Sequence, residues 1–592
     1  MAKKVIVLGG GVAGLSAAHE LAERGFDVSV YERRSIAGGK ARSVPVPQPG
    51  PPQGPPLPGE HGFRFFPGFY THITDTMKRI PTGQGLRTVY DNLVDTTRAE
   101  ILRKDRAPLM TISRFPRSLQ DLRVLAEMCA QFTAATGLTQ DEIHRFLSLL
   151  WQFATSCADR RWDEYEKIGW WEFTEASRPH CSQNYRQVLA AGLSRSLVAA
   201  QPTRENTRTG GTIFLQLLFS ICRPGVSSDR VLNGPTNEVW IDPWLAYLRA
   251  RGVDYHPRAN VLGIHCADHQ ITGVDIQENG RACSVQGDYY VAALPIEVMA
   301  ALLQQTPALL AADPTLRGII TLSRNTAWMN GIQFYLFDDV PLAHGHQLYL
   351  DSPWALTSLS QAQFWPAVDL AKRGDGKVRG IISVDISNWK TAGLNRKPAA
   401  DCSKCEIRKE VWAQLKECLN GRGAQILTDS NVHSWFLDDD IVAREYVTSY
   451  APGKFVNLEP LLVNTTDTWH LRPDAYTRVS NLFLAADYVR TNTDLATMEA
   501  ANEAARRAVN AIVDRSGRSG SYCPLWELRE PWWLEWWKRQ DQKRYGRGLP
   551  WSGGLPWWLY PMARMVGTVL ERTFGPRTPE PRPGVQVDRT PT

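Results

Sequence analysis

The 592-residue sequence predicts an α/β protein with a Rossmann-type domain, an inserted α+β domain and a Trp-rich C-terminal extension. Residues 3–8 are an apolar strand pattern that leads through a glycine-rich turn into a helix pattern. A second strand pattern at 28–32 completes a βαβ unit. Residues 118–220 show helical periodicity, and beyond residue 516 the composition shifts to Trp, Arg and Pro. These changes along the chain predict more than one folding unit.

The length alone predicts two or three domains. Strand-like runs over 316–390, a buried strand pattern at 481–485 and a helix pattern at 497–513 suggest that the chain returns to its first domain near the end. The expected division is 1–95, 229–300 and 465–515 for the nucleotide domain, 96–228 (mostly helical) and 301–464 for the substrate domain, and 516–592 for the extension.

Composition and charge exclude several classes of protein. The formal net charge of +6 is small for this length, so we expect no nucleic-acid partner. No apolar run approaches the roughly 20 residues of a spanning helix, and we expect no signal peptide. Cys402 and Cys405 form a lone CxxC without a second pair at zinc spacing, so we expect no metal site. Reduced thiols in a cytoplasmic protein are the simpler interpretation.

A GxGxxG motif joins the first strand to the first helix. It consists of Gly9, Gly10, Gly11, Val12, Ala13 and Gly14. Gly9 suits the tight turn, Gly11 lets the backbone approach a pyrophosphate, and Gly14 lets helix and strand pack closely. The helix N-terminus offers N–H groups and positive dipole to the phosphates. Glu32, 18 residues after Gly14, stands where a carboxylate can accept hydrogen bonds from ribose hydroxyls.

A second glycine pair with basic residues follows the second strand. Its members are Arg33, Gly38, Gly39, Lys40 and Arg42, and they suit a second approach to the pyrophosphate. Glu32 would repel the 2′-phosphate of NADP, although Arg33 and its neighbour weaken that argument. The spacing therefore predicts a bound dinucleotide and leaves its identity open.

Four segments resemble one known superfamily. They are Glu32 with GGKARS at 38–43, GEHGFRFFPGFY at 59–70, NLFLAADY at 481–488 and ATMEAA at 496–501. Together they resemble the flavin-containing amine oxidase and phytoene desaturase superfamily, with carotenoid- and squalene-type desaturases the most similar members. The resemblance implies FAD as cofactor, and the absence of cysteine from the closing motif implies that it is bound noncovalently.

The resemblance also implies roles for individual residues. Gly62, Phe63 and Arg64 would lie beside the flavin ring. Val261 would offer its backbone to the adenine, and Asp487 would bind ribitol hydroxyls. Ala486 departs from the glycine usual before this aspartate.

The closing motif also makes sense without the family. Thr497 or Asp494 can cap the helix that follows, which carries an apolar stripe. Met498 is at the start of that helix, whose positive end would face the flavin pyrimidine edge.

Catalytic residues are not fixed by the sequence. His61 and Arg64 lie in the segment that should line the flavin, and Lys390 is a possible counterpart of the lysine near the flavin in the family's amine oxidases. We expect an FAD-dependent desaturase or dehydrogenase of a long apolar isoprenoid or lipid. A redox-neutral isomerase or dehydroxylase, an amine oxidase and an inactive flavin-binding scaffold stay open as alternatives.

The last 75 residues are rich in tryptophan and basic residues. The tryptophans are Trp526, Trp532, Trp533, Trp536, Trp537, Trp551, Trp557 and Trp558. Such a mixture suits the headgroup layer of a membrane, but the rings can equally pack onto the protein body or an oligomer neighbour. We therefore expect a peripheral membrane contact as one of two alternatives, and the oligomeric state is open.

Overall fold

A computed structural model describes residues 2–47, 49–192, 201–340, 342–421, 425–443, 455–517 and 521–554. The strands are β1 Lys4–Leu8, β2 Asp27–Glu32, β3 Ser43–Val46, β4 Leu57–Glu60, β5 Leu93–Asp95, β6 Arg98–Leu102, β7 Leu109–Ile112, β8 Arg230–Leu232, β9 Asp254–Pro257, β10 Ala259–Ala267, β11 Gln270–Glu278, β12 Arg281–Val285, β13 Tyr289–Ala292, β14 Thr326–Ala327, β15 Asn330–Leu336, β16 Gln347–Tyr349, β17 Leu356–Ser360, β18 Gly380–Ile386, β19 Val432–Leu437, β20 Ile441–Ala443, β21 Phe455–Asn457, β22 Leu461–Leu462 and β23 Leu482–Leu484. The helices are α1 Val12–Glu23, α2 His72–Lys78, α3 Leu119–Thr136, α4 Gln140–Thr155, α5 Ala158–Asp163, α6 Trp170–Phe173, α7 Thr207–Ile221, α8 Asp242–Ala250, α9 Ile296–Gln305, α10 Pro307–Ala312, α11 Arg317–Leu322, α12 Lys404–Leu419, α13 Met498–Ser516 and α14 Glu535–Tyr545.

A parallel five-stranded sheet in the order β23-β13-β1-β2-β9 forms the nucleotide domain. Helices α1 and α13 pack against each other beside it, and β10, β11 and β12 form an antiparallel three-stranded sheet between β9 and β13 in the chain. The strands are almost completely buried, as expected of a parallel sheet covered on both faces. The predicted α/β class and its opening βαβ unit are confirmed.

The remaining chain forms a mixed seven-stranded sheet and a helical layer. The sheet has the order β19-β15-β18-β17-β16-β6-β7, and α12 packs on one face through Ile407, Val411 and Leu415. Helices α3 to α7 surround a second core that contains Trp170 and Phe146. The predicted helical character of 118–220 is confirmed for the residues that the structure describes.

The described part of the C-terminal extension returns to the helical layer. Helix α14 packs against α4 and α5, and Leu534 just before it is buried in the helical core. Trp557 and Trp558 lie outside the described residues. Within the described ranges, no helix combines the length and apolar character needed to cross a bilayer.

Candidate active site

A cavity of about 340 Å³ opens at the carboxyl ends of the parallel strands, which is the usual ligand position in an open α/β sheet. Its wall includes most residues that the sequence predicts for the site: Gly9, Gly11, Val12, Ala13, Glu32, Arg33, Gly38, Gly39, Lys40, His61, Phe63, Arg64, Val261, Asp487, Thr497 and Met498. The volume falls in the range of about 300–1,000 Å³ typical of ligand pockets. Residues from the seven-stranded sheet close the far side, so the cavity lies between the two parts of the fold.

The glycine turn leaves the start of α1 open to this cavity. Gly11 is the N-cap residue of α1 and supplies no side chain to the first N–H groups. Gly9 adopts φ +105°, and a Cβ there would stand 2.5 Å from the carbonyl oxygen of Ala293. Free N–H groups and the helix dipole at this position bind phosphate. The local geometry therefore fits a pyrophosphate.

The second glycine pair stands opposite the first. Gly11 and Gly38 form a backbone bridge, and a Cβ on Gly39 would come within 2.9 Å of the Gly11 Cα. A Cβ on Gly11 would meet the Gly39 Cα only at 3.6 Å, an ordinary contact. The space beside Gly11 is therefore free for a ligand.

Glu32 ends β2 at the cavity and is held in place before any ligand binds. Its carboxylate accepts hydrogen bonds from the backbone N–H of Gly10 at 2.7 Å and of Arg34 at 2.8 Å. Each carboxylate oxygen can accept a further hydrogen bond, so the ribose role is compatible with these contacts. Val261 reaches the same end of the cavity at an irregularity in the pairing of β10 with β11.

The closing motif brings a second helix N-terminus to the cavity. Of the two expected caps, Thr497 takes the position: its hydroxyl oxygen accepts the Ala500 N–H at 3.2 Å. Asp494 instead pairs with Arg208 and with Arg472. Met498, the first residue of α13, lines the cavity together with Asp487. Two positive helix ends thus face one cavity.

Arg42 is a correction to the predicted site, because it does not line the cavity. Its buried guanidinium pairs with Asp440 at 2.8 Å and Glu459 at 3.2 Å. Arg34 binds the same two carboxylates, and Arg33 reaches Glu459 at 3.1 Å while still lining the cavity. These arginines tie the glycine segment to the chain near residues 440 and 459, which local sequence could not reveal.

Gly14 and Gly62 also lie outside the cavity wall. A Cβ on Gly14 would overlap the carbonyl oxygen of Gly9, so Gly14 performs the predicted packing role between helix and strand. Gly62, which adopts φ +150°, lies between the cavity residues His61 and Phe63, and its missing side chain makes room for the carboxylate of Asp385. Its place beside the flavin stays a prediction.

The three catalytic candidates have different surroundings in the structure. His61 contacts Asp438 through Nδ1, and the half-buried Arg64 donates to the Lys40 carbonyl oxygen at 3.2 Å. Burial lowers the pKa of Arg64 despite the neighbouring carboxylates. Lys390 is wrong as a candidate, because it is exposed in the turn after β18 and does not line the cavity.

Among the cavity residues that the sequence did not predict, two carry ionisable side chains on the side of the seven-stranded sheet. Asp385 lies on β18 and His346 just before β16, and both line the cavity. The one available signal was an aspartate inside the otherwise apolar strand pattern GIISVDIS. Burial raises the pKa of Asp385 to about 7, although Arg64 and His61 oppose the shift. A carboxyl with such a pKa in a cavity is typical of functional sites.

Comparison with known proteins agrees with this geometry. Residues 12–513 match the family model described as flavin containing amine oxidoreductase. The zeta-carotene desaturase of Synechocystis sp. is 22% identical, over 87% of this chain and 98% of that protein. A shorter region, 25% of each chain, is 44% identical to the 4,4'-diaponeurosporene oxygenase of Staphylococcus haemolyticus.

Solved structures share the fold. Putrescine oxidase bound to putrescine superimposes with a TM-score of 0.54 at 13% identity, over 87% of this chain and 99% of that one. A putative protoporphyrinogen oxidase from Exiguobacterium sp. gives 0.53 at 12% identity, over 88% and 100%. The open glycine turn, the ribose-side carboxylate and the two helix ends fit FAD. The chain belongs to the flavin containing amine oxidoreductase family and is an FAD-dependent oxidoreductase.

Proposed function

We propose that the protein dehydrogenates a long apolar isoprenoid or lipid. The observation that carries the proposal is that the cavity wall as a whole presents more apolar than polar surface. Its apolar side chains include Phe65, Met329, Leu461 and Leu495. Such a wall takes up a hydrocarbon by excluding water from it. The carotenoid enzymes among the relatives support the same substrate class.

Some residues of the cavity hold the cofactor, and others shape the space in which the substrate reacts. Gly11, Glu32 and the start of α13 bind and orient the cofactor, which when bound supplies the hydride acceptor. Phe63 and Phe65 pack on His346 with ring centroids 5.0 and 5.2 Å apart, and this contact fixes the cavity wall. A dry, fixed wall holds the substrate in one orientation and strengthens electrostatic interactions inside it.

Anaerobic reduction of the bound flavin tests the proposal. Oxidised holoprotein is mixed with ζ-carotene in detergent micelles, and loss of the yellow flavin absorbance is followed without oxygen. We expect lasting bleaching, with a desaturated product in equal amount to the flavin. An isomerised or dehydroxylated product with the flavin still oxidised at the end would show the redox-neutral alternative instead.

Amine oxidation is a second candidate because one cavity group favours it. The carboxyl of Asp385 could accept hydrogen bonds from a substrate ammonium, and the fold is shared with putrescine oxidase. Putrescine in the same anaerobic assay is therefore the matched comparison. Bleaching by putrescine and none by ζ-carotene would replace the desaturase proposal.

We also propose that the enzyme collects its substrate in the cytoplasm at a membrane surface. Trp532, just before α14, and Trp536, within it, expose 84% and 61% of their surface, and α14 is rich in Lys and Arg. Trp533 and Trp537 instead pack on Trp151, with centroids 6.4 and 5.3 Å apart. The packing of Trp533 and Trp537 supports the protein-body alternative, and the exposure of Trp532 and Trp536 supports the membrane alternative. Exposed rings beside cations favour the interface of an anionic membrane.

Liposome sedimentation tests the membrane contact. The double variant Trp532→Ala/Trp536→Ala should keep its FAD and lose binding to phosphatidylserine-containing vesicles. The control is Leu86→Ala, which removes a fully exposed apolar side chain elsewhere. Equal sedimentation of both variants and the wild type would contradict the membrane proposal.

A further inference from the structure

Three segments far apart in the chain place ionisable side chains together at the cavity wall. Asp385 is on β18, His346 precedes β16, and Asp229 precedes β8. His346 and Asp385 line the cavity, whereas Asp229 lies behind His346. The group borders the predicted flavin segment, because the Phe63 ring lies 5.0 Å from the His346 ring.

His346 is fixed in one orientation by a buried carboxylate. Its Nδ1 lies 2.9 Å from Oδ2 of Asp229, which also accepts the Thr96 hydroxyl at 2.6 Å. Because Nδ1 faces Asp229, Nε2 is the ring nitrogen left for the cavity side. Burial lowers the pKa of His346, but Asp229 outweighs burial and raises it above its ordinary value. The Asp229 carboxylate therefore favours the protonated form of the imidazole.

Asp385 also lines the cavity, and one side of its carboxylate lies against Gly62, which has no side chain. A Cβ on Gly62 would overlap Oδ1 of Asp385. The charged groups that act on Asp385 are Arg64, His61 and His346, and all three favour its ionised form. Burial opposes them and raises the pKa to about 7. At this value the carboxyl can both accept and release a proton at neutral pH.

We propose that Asp385 is the catalytic base of the dehydrogenation. His346, oriented by Asp229, is a positioning residue that favours the ionised form of the Asp385 carboxyl when its ring is protonated. The proposal rests on the function proposed above. One substrate carbon gives up a hydride to oxidised FAD, and its neighbour gives up a proton to the Asp385 carboxylate. The electron pair of the second C–H bond forms the new C=C bond. Asp385 then carries the proton, and later releases it to solvent.

The first test measures flavin reduction by ζ-carotene in Asp385→Asn, which keeps the side-chain shape. We expect a rate lower by about 10²- to 10⁴-fold with unchanged FAD content, the usual contribution of a general base. A rate within about threefold of the wild type would overturn the proposal and leave the desaturase function intact. In Asp229→Asn the protonated form of His346 is less favoured, so the Asp385 carboxylate loses a stabilising charge and the acid limb of the pH–rate profile should move to higher pH.

A matched buried pair provides the control. Asp375 binds His433 with Oδ2 3.0 Å from Nε2, both side chains are buried, and neither lines the cavity. Asp375→Asn should leave the pH–rate profile unchanged. An equal shift in Asp375→Asn and Asp229→Asn would show a general structural effect and would refute the role of His346.

The second test needs no substrate. Infrared spectra of the holoprotein, recorded from pH 5 to 9, should show a protonated-carboxyl C=O band that disappears near pH 7 in the wild type and is missing in Asp385→Asn. If ζ-carotene does not reduce the flavin of the wild type, the proposed substrate class is wrong. The infrared titration still tests whether Asp385 changes its protonation state near pH 7. A band present in both proteins, or absent from both, would rule Asp385 out as the base.

Discussion

Gly11 and Gly14 stand three residues apart in one motif, and the structure predicts opposite results for replacing them by alanine. Alanine at position 14 gains about 1 kcal/mol of helix propensity. Its Cβ would, however, overlap the Gly9 carbonyl oxygen, and Gly9 is held by its hydrogen bond to the Tyr31 oxygen at 2.8 Å. Overpacking of this kind costs about 3 kcal/mol when backbone must move, so we expect a net loss of about 2 kcal/mol.

Alanine at position 11 meets protein atoms only at 3.6 Å, so the apoprotein should unfold as the wild type does. The same methyl group takes space beside the helix N-terminus that a pyrophosphate needs. A steric cost of about 1–3 kcal/mol then weakens FAD binding about 5- to 150-fold.

Two measurements on each protein separate these outcomes. Thermal unfolding of the apoprotein reports the fold, and fluorescence titration with FAD reports the site. We expect a lower midpoint for Gly14→Ala and weaker FAD binding for Gly11→Ala at an unchanged midpoint. Wild-type FAD affinity in Gly11→Ala would refute the assignment of the pyrophosphate to this turn.

Further predictions concern cofactor, stability and the C-terminal segment. Acid precipitation should release yellow flavin into the supernatant, whereas colour left in the pellet would mean a covalent link. Glu32→Ala should weaken FAD binding by about 1.5–3 kcal/mol, measured by the same titration. The raised pKa of Asp385 favours folding at low pH, and this contribution is lost as the pH rises from about 4 to about 7. Asp385→Asn should therefore be more stable than the wild type at pH 8, by at most about 4 kcal/mol, and equal to it near pH 4 in urea unfolding. Asp541→Ala removes a carboxylate 3.0 Å from the buried Arg160 guanidinium and leaves Glu164 and the Leu549 carbonyl oxygen as its partners. The loss should cost about 1.5–3 kcal/mol and expose α14 to limited proteolysis, and unchanged cleavage would contradict this.

Local sequence predicted the parts of the site that depend on neighbours in the chain. The glycine turn, the carboxylate at the end of β2 and the Thr497 cap each follow from spacing and backbone geometry within a few residues. Arg42 was misassigned because its partners, Asp440 and Glu459, lie about 400 residues away. For the same reason, the sequence did not predict that His346 and Asp385 line one cavity. Neither residue belongs to a motif, and the order of the strands in the sheet brings them together. Long-range pairing is a property of the folded topology rather than of any sequence window.

The strand order of the nucleotide domain also governs when the flavin site can form. Its five strands come from residues as distant as Lys4–Leu8 and Leu482–Leu484, with β13 between them in the sheet. A ribosome that adds about 5–20 residues per second needs roughly 25–100 s to reach β23. After β13 is made, about 190 residues or roughly 10–40 s pass before β23 follows, and meanwhile β13 keeps an unpaired edge that can pair with other chains. Helix α13, which completes the cofactor site together with the glycine turn, is synthesised after β23. FAD binding is therefore a late event that follows the synthesis of nearly the whole chain.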